Sequence, residues 1–206
     1  MANRAFGQAV IFSAVLANLV GAVTAEASDK VTVRVRLENG ADVPRRILDG
    51  AQFDATRIYK RAGIDIVWVD RDDSARGTES RIIRVVLPTL KGADQYLRLE
   101  HVDKSALGDA NAAANLIHIF WDRLAISASR QGRDEAGLLG VVLAHEIGHV
   151  LLPGAGHSPT GIMQASVEVR MLAPLQFTDQ QSAAMRRLLG QDPDLSVAGT
   201  QAITIR

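Results

Sequence analysis

The chain of 206 residues has no cysteine. That excludes disulfides, thiolate metal sites, thiol nucleophiles, lipoprotein acylation at cysteine and latency by a cysteine switch. Aromatic residues are scarce, with two Trp, two Tyr and five Phe, so little surface exists on which sugars or bases could stack. Neither sign of charge is in excess. Lys plus Arg and Asp plus Glu each number 23, and no long-range field draws the chain to nucleic acid or to an anionic membrane. No nucleic-acid partner is expected. Internal repeats, low-complexity tracts and linkers are also missing, which makes one domain the economical reading. What is present is enough apolar side chain for a core, 47% against 22% charged. Histidine is the informative residue, because His145, His149 and His157 account for three of the five in the chain.

A long uncharged and strongly apolar run lies at the start. Arg4 precedes it, its apolar centre is Ala9–Val23, and the small residues Ala25 and Ala27 follow. This is the charge, apolar and small-residue order of a secretory signal peptide over residues 1–27. The apolar centre is short of the ~20 residues that span a bilayer. The rival reading is a retained signal anchor, and export to the periplasm or medium is expected under both. After cleavage no stable membrane span is expected. Removal of the segment takes away Arg4 and Glu26, so the charge balance is unchanged.

Val31, Val33, Val35 and Leu37 alternate with polar residues and predict a half-buried strand. Pro44 suits the first position of a helix, whose apolar face is Ile47, Ala51, Ala55, Ile58 and Ala62 and whose stop is Gly63. Ile64–Val69 and Ile82–Leu87 read as strands, separated by a polar loop at 71–79. Signals then fade from Thr89 to Asn115, apart from a short strand pattern at Tyr96–Leu99; an edge strand is expected within residues 96–114. Leu116–Trp121 is apolar on both faces, as an interior or covered strand is. Asp134 is placed to cap a helix over Glu135–Leu152, which must end before Pro153. Thr178-Asp-Gln-Gln181 is a capping-box pattern that opens a last helix to Leu189, with Gly190 as its stop. The tail 191–206 has no clear period.

His145-Glu146-Ile147-Gly148-His149 is an H-E-x-x-H segment inside the strongest helical pattern. Residues four apart lie about 40° apart around a helix and one turn along it. Two imidazoles can therefore reach one metal at ~2.0–2.1 Å. Leu138 and Val142 continue that face, Leu139, Leu143 and Val150 fill the next, and Gly140 and Gly148 keep a third side thin. The helix should be buried, and a bound cation would remove the cost of burying bare histidines there. Glu146 falls about 100° away, beside the metal and not on it. From there it can act as general base and acid on a water that zinc acidifies towards ~7. His157 is the natural third ligand, with an exposed loop histidine as the bland alternative. Pro153-Gly154-Ala155-Gly156 supplies a backbone that can turn back, and no Asp or Glu intervenes between His149 and Glu168. A core histidine is the expected role of His118 and a loop position that of His101; Tyr59 and Tyr96 find no place at the metal.

H-E-x-x-H, a following histidine and Gly161-Ile162-Met163 resemble the metzincin clan of zinc metallopeptidases, in which a methionine turn underlies the metal. His157-Ser158-Pro159-Thr160-Gly161-Ile162-Met163 is similar to the clan's His-Ser…Met segment, and the likeness is strongest to small secreted bacterial members. The resemblance covers most of residues 30–190. It implies an α+β zincin-like fold over 28–190: a twisted mixed sheet, one packing helix, a central metal-binding helix, a turn at Met163 and a C-terminal helix. One departure stands out. The clan's pattern has six positions from the second to the third histidine, whereas His149 and His157 are eight apart with Leu152 where the glycine should be.

The function expected is a secreted endopeptidase with one zinc, held by His145, His149 and His157, and Glu146 as general base and acid. Its partner is a peptide or protein substrate, which the resemblance implies lies extended along a sheet edge. Two alternatives are a non-catalytic secreted zinc protein and a zinc amidase acting on cell-wall peptides. Glu146, which zinc binding alone does not need, argues against the first. Oligomeric state is left open.

Overall fold

The computed structural model describes residues 31–70, 82–103, 105–165 and 175–191. The expected signal segment 1–27, the polar loop 71–79 and the tail beyond Gln191 lie outside the described residues. β1 (Val31–Asn39) continues through α1 (Arg45–Arg61) to β2 (Ile64–Trp68), and β1 and β2 pair in parallel with Val33 opposite Ile66. A parallel pair needs such a crossover, and the helix provides it. Pro44 stands one position outside the helix, at its N-cap, and its carbonyl accepts from Ile47 and Leu48. Gly63, at φ +77°, makes the expected stop.

β3 (Ile82–Leu87) pairs in parallel with the other side of β1, Val35 opposite Ile83. The chain then departs from expectation. Tyr96–Leu99 is not a strand but the last turn of α2 (Leu90–Leu99). Thr89 caps that helix by accepting from the Gly92 N–H, and Ala93 and Leu97, four apart, are its buried residues. The Tyr-Leu-Arg-Leu alternation was too short to tell one period from the other. β4 (Gly108–Asn111) is the edge strand expected within 96–114, and it runs antiparallel to β5 (Leu116–Ile119). β5 stops at Ile119, because Trp121 already opens α3 (Trp121–Gln131), a helix the sequence did not signal. Gly132 closes it at φ +62°.

Strand order is β2-β1-β3-β5-β4, mixed only at its β4 edge. β5 is interior, as expected, with Ile117 and Ile119 fully buried on one face and Leu116 and His118 half-buried on the other. Against the sheet lies α4 (Glu135–Leu151), capped by the Asp134 carboxylate on the Gly137 N–H at 2.8 Å. Twelve of its seventeen residues are buried, as an all-round apolar helix demands. Its thin side is used. A Cβ on Gly140 would stand 2.8 Å from Asp54 Cβ and 3.0 Å from the Ala51 carbonyl, so only glycine admits α1 that closely. Tyr59 of α1 spans the same interface, donating to the Ala144 carbonyl at 3.0 Å. α5 (Asp179–Gln191) closes the domain and passes through Gly190 where a stop was expected. No helix among the described residues is long and apolar enough to cross a membrane.

Candidate metal centre

α4 presents His145 and His149 from one face, and the loop beyond it brings His157 to them. The Nε2 atoms of His145 and His149 are 3.0 Å apart, and those of His149 and His157 3.3 Å. Four ligands at ~2.0–2.1 Å around a tetrahedral ion stand about 3.3–3.4 Å from each other. The spacing is therefore that of ligands converging on one small cation. The His149 ring is nearly perpendicular to the other two, at 80° and 82°, while the His145 and His157 rings lie 26° from parallel.

The rings differ in burial and in support. His145 is buried and its Nδ1 donates to the Ile162 carbonyl at 2.7 Å, which leaves the Nε2 lone pair for a metal. His149 is half-buried and His157 exposed. Burial holds the His145 and His149 imidazoles in their neutral, ligating form. It lowers the His149 pKa to about 4, with smaller contributions from the neighbouring His145 and His157.

Met163 is buried against α4. Its sulfur would be 2.6 Å from a Cβ on Gly148, and Phe177 closes the same gap at 3.0 Å. Glycine at 148 is thus what lets the methionine turn reach the helix. The turn is tied down by bonds from Ser158 N–H to the Met163 carbonyl, 2.8 Å, and from Ile162 N–H to the Gln176 carbonyl, 3.0 Å. The Thr178–Gln181 capping box forms as expected, and Gln181 Nε2 also donates to Ser158 Oγ at 3.2 Å. The helix that follows the site therefore grips the residue after His157.

Glu146 points away from the three nitrogens, towards β4. It is 7% exposed and has no hydrogen-bond partner among the described residues. Gly108 receives it. A Cβ there would fall 2.6 Å from Glu146 Oε1 and 2.8 Å from its Cγ and Cδ. Burial, and to a smaller extent the charge of Asp109, raise the Glu146 pKa to about 8.

The three histidines and Glu146 line one cleft of roughly 850 Å³ whose other wall is Leu107, Gly108, Asp109 and Ala110. Gly108 and Asp109 were not singled out in the sequence, and Tyr96, which donates to Asp109 Oδ2 at 2.7 Å, was set aside. The faint signal for the tyrosine was the Thr89 cap with Ala93 and Leu97 behind it. For Gly-Asp-Ala-Asn there was none. His118 is not at the centre; it lies under the Tyr96 ring, centroids 3.9 Å apart. His101 stands in a turn at φ +54°.

Fold and site together define a helix-on-sheet protein with a three-imidazole cluster able to hold one metal ion. No protein-family model matches the chain, and no curated protein does. Several solved structures are similar to it, two of which follow. Archaemetzincin from Methanopyrus kandleri is 15% identical, with 80% of this chain and 99% of that one covered, at a TM-score of 0.47. A zinc-dependent peptidase from Methanocorpusculum labreanum is 12% identical, over 75% of this chain and 99% of the other, at a TM-score of 0.44.

Proposed function

We propose that the protein is a zinc-dependent endopeptidase, exported to the periplasm or the medium, that hydrolyses peptide bonds in the cleft between α4 and β4. The observation that carries this is the convergence of three imidazole nitrogens beside a buried, unpartnered carboxyl. A structural site needs the first and has no use for the second.

His145, His149 and His157 would hold the ion. An all-imidazole set suits zinc and not the hard cations, which take oxygen ligands. Three protein ligands leave one position open, the pattern of reactive and not structural zinc. Zinc, when bound, supplies a Lewis acid that acidifies water and polarises a carbonyl. Glu146 takes the proton from the attacking water. It then returns that proton to the amine nitrogen as the C–N bond breaks. Its packing against Gly108 keeps the carboxyl from wandering while it still faces the cleft. β4 is the outermost strand and also the cleft wall, so an extended substrate can pair with its free edge and lie across the centre.

Export rests on the charge and apolar pattern of residues 1–27. The test of the activity is a diverse peptide library offered to the zinc-loaded protein and to Glu146→Ala. Cuts made only by the first establish the peptidase. Two proteins that each hold one zinc and cut nothing would make the centre a structural staple. Export is tested separately, by fractionating cells that express the full chain and sequencing the amino terminus of the product.

A further inference from the structure

Asp109 has a setting that the reaction does not require. It stands on β4 opposite His118 and lines the same cleft as His145, Glu146 and His149. Tyr96 fixes it, through the 2.7 Å hydrogen bond to Oδ2. The tyrosine is fixed in turn, with its ring against His118 at 3.9 Å and Phe120 at 6.2 Å. Such an arrangement orients a carboxylate without neutralising it. Among the described residues Asp109 has no ion pair, and no lysine or arginine lines the cleft. Its neighbour His118 is kept neutral by burial and offers no balancing charge. Glu146 across the gap, 7% exposed, and Asp103 are the other described carboxyls that line this space. The β4 wall thus presents the Asp109 carboxylate to a space with no described lysine or arginine in its lining. A partly desolvated carboxylate held in a fixed direction is strongest as a partner for a cation in a charge-assisted hydrogen bond.

We propose that Asp109, positioned by Tyr96, determines the specificity of the cleft by binding a cationic group of the peptide, either a lysine or arginine side chain or a free amino terminus. The assignment rests on the peptidase reading for the nature of the ligand, and its test separates the two. Affinity is read in the zinc-loaded Glu146→Gln protein, where nothing is cut, by calorimetry on a panel of short peptides. Each position carries lysine, norleucine or glutamate in turn, with the amino terminus free or acetylated. Cleavage of the same panel is read with Glu146 in place.

The expected result is about tenfold tighter binding of lysine than of norleucine at one position, or of free than of acetylated peptides. The first outcome identifies a side-chain subsite and the second an amino-terminal one. Adding Asp109→Asn should bring that ratio close to one while each chain still holds one zinc. Tyr96→Phe, which keeps the ring and loses the hydroxyl, should lower it part of the way. Equal or undetectable binding across the panel overturns the proposal, as does a preference that survives Asp109→Asn. A preference that Asp109→Asn abolishes, with no peptide cut by the Glu146 protein, keeps the cation subsite and overturns the peptidase reading.

Discussion

The two walls of the cleft are built in different ways. One is α4 and its following loop, where a single continuous segment from His145 to Met163 supplies the three candidate ligands, the proposed acid–base carboxyl and the Met163 sulfur that packs on Gly148. The other is β4 with α2 behind it, where Gly108 receives the Glu146 carboxyl and Tyr96, thirteen residues before Asp109, holds the Asp109 carboxylate. The first wall carries the chemistry in its side chains; the second works largely by leaving room and by holding one charge still. A centre of this kind therefore fails in two ways, by losing a reactive group or by losing the surface against which that group is set.

The largest effect separates these at once. Glu146→Ala should lower kcat/KM for the best library peptide by about 10²–10⁴-fold, the usual contribution of a positioned acid–base group. Zinc stoichiometry, measured by elemental analysis, should remain one per chain. The second wall is tested by Gly108→Ala. The added methyl carbon would overlap the Glu146 carboxyl at 2.6–2.8 Å, so the carboxyl must move. A misplacement of that size costs about 10²-fold in rate, with zinc affinity unchanged. A Gly108→Ala protein as active as the parent would show that the opposing wall does not set Glu146.

The same contrast decides what could be read from sequence. His145, Glu146 and His149 were legible because the helix itself imposes their spacing, and Gly140 and Gly148 because a thin side predicts close neighbours. His157 followed from a loop that must turn back, and Met163 only from the resemblance of its segment to the metzincin one. The edge strand was legible only as a region. Gly-Asp-Ala-Asn has no β-branched or aromatic residue, and it becomes a strand because β5 is there to pair with it. α2 and α3 were hidden for a related reason. One is ten residues with a glycine inside, and the other starts directly after the apolar run of β5, so no boundary showed. Non-local pairing and short elements are what a sequence window cannot see; local periodicity and ligand spacing are what it can.

Within the first wall the helix-borne and loop-borne ligands differ as well, and a smaller effect should expose it. His145 and His149 have α4 to place them, whereas exposed His157 depends on its tethers. Gln181→Glu keeps the acceptor for the Thr178 N–H, so the cap of α5 persists, but loses the N–H that reaches Ser158. Chelator competition should show zinc bound about tenfold more weakly, in the range typical of groups that orient ligands. Thr178→Ala makes the converse change. It should cost about 1 kcal/mol of stability through the lost cap, read by urea denaturation of the metal-free protein, with little change in zinc affinity. Equal losses in both variants would mean that α5 acts on the centre only through overall stability.

The smallest effect belongs to the second wall and is one of pH. His118, half-buried beneath Tyr96, has its pKa lowered chiefly by burial, with Arg84 adding to the shift and Asp109 and Glu100 opposing it. The unfolded chain therefore binds more protons at this position than the folded one once the pH drops below about 6.5. Its contribution to stability is complete above that pH and is lost as the pH falls through the folded value. Urea denaturation at pH 7.5 and 5.5 should show the parent losing more stability on acidification than His118→Gln. The metal-site histidines titrate in both proteins, so they cancel in that difference. An identical loss in the two would mean that the Tyr96–His118 stack leaves the imidazole as free to protonate when folded as when unfolded, and the packing that holds Tyr96 against Asp109 would then be looser than the 3.9 Å ring separation implies.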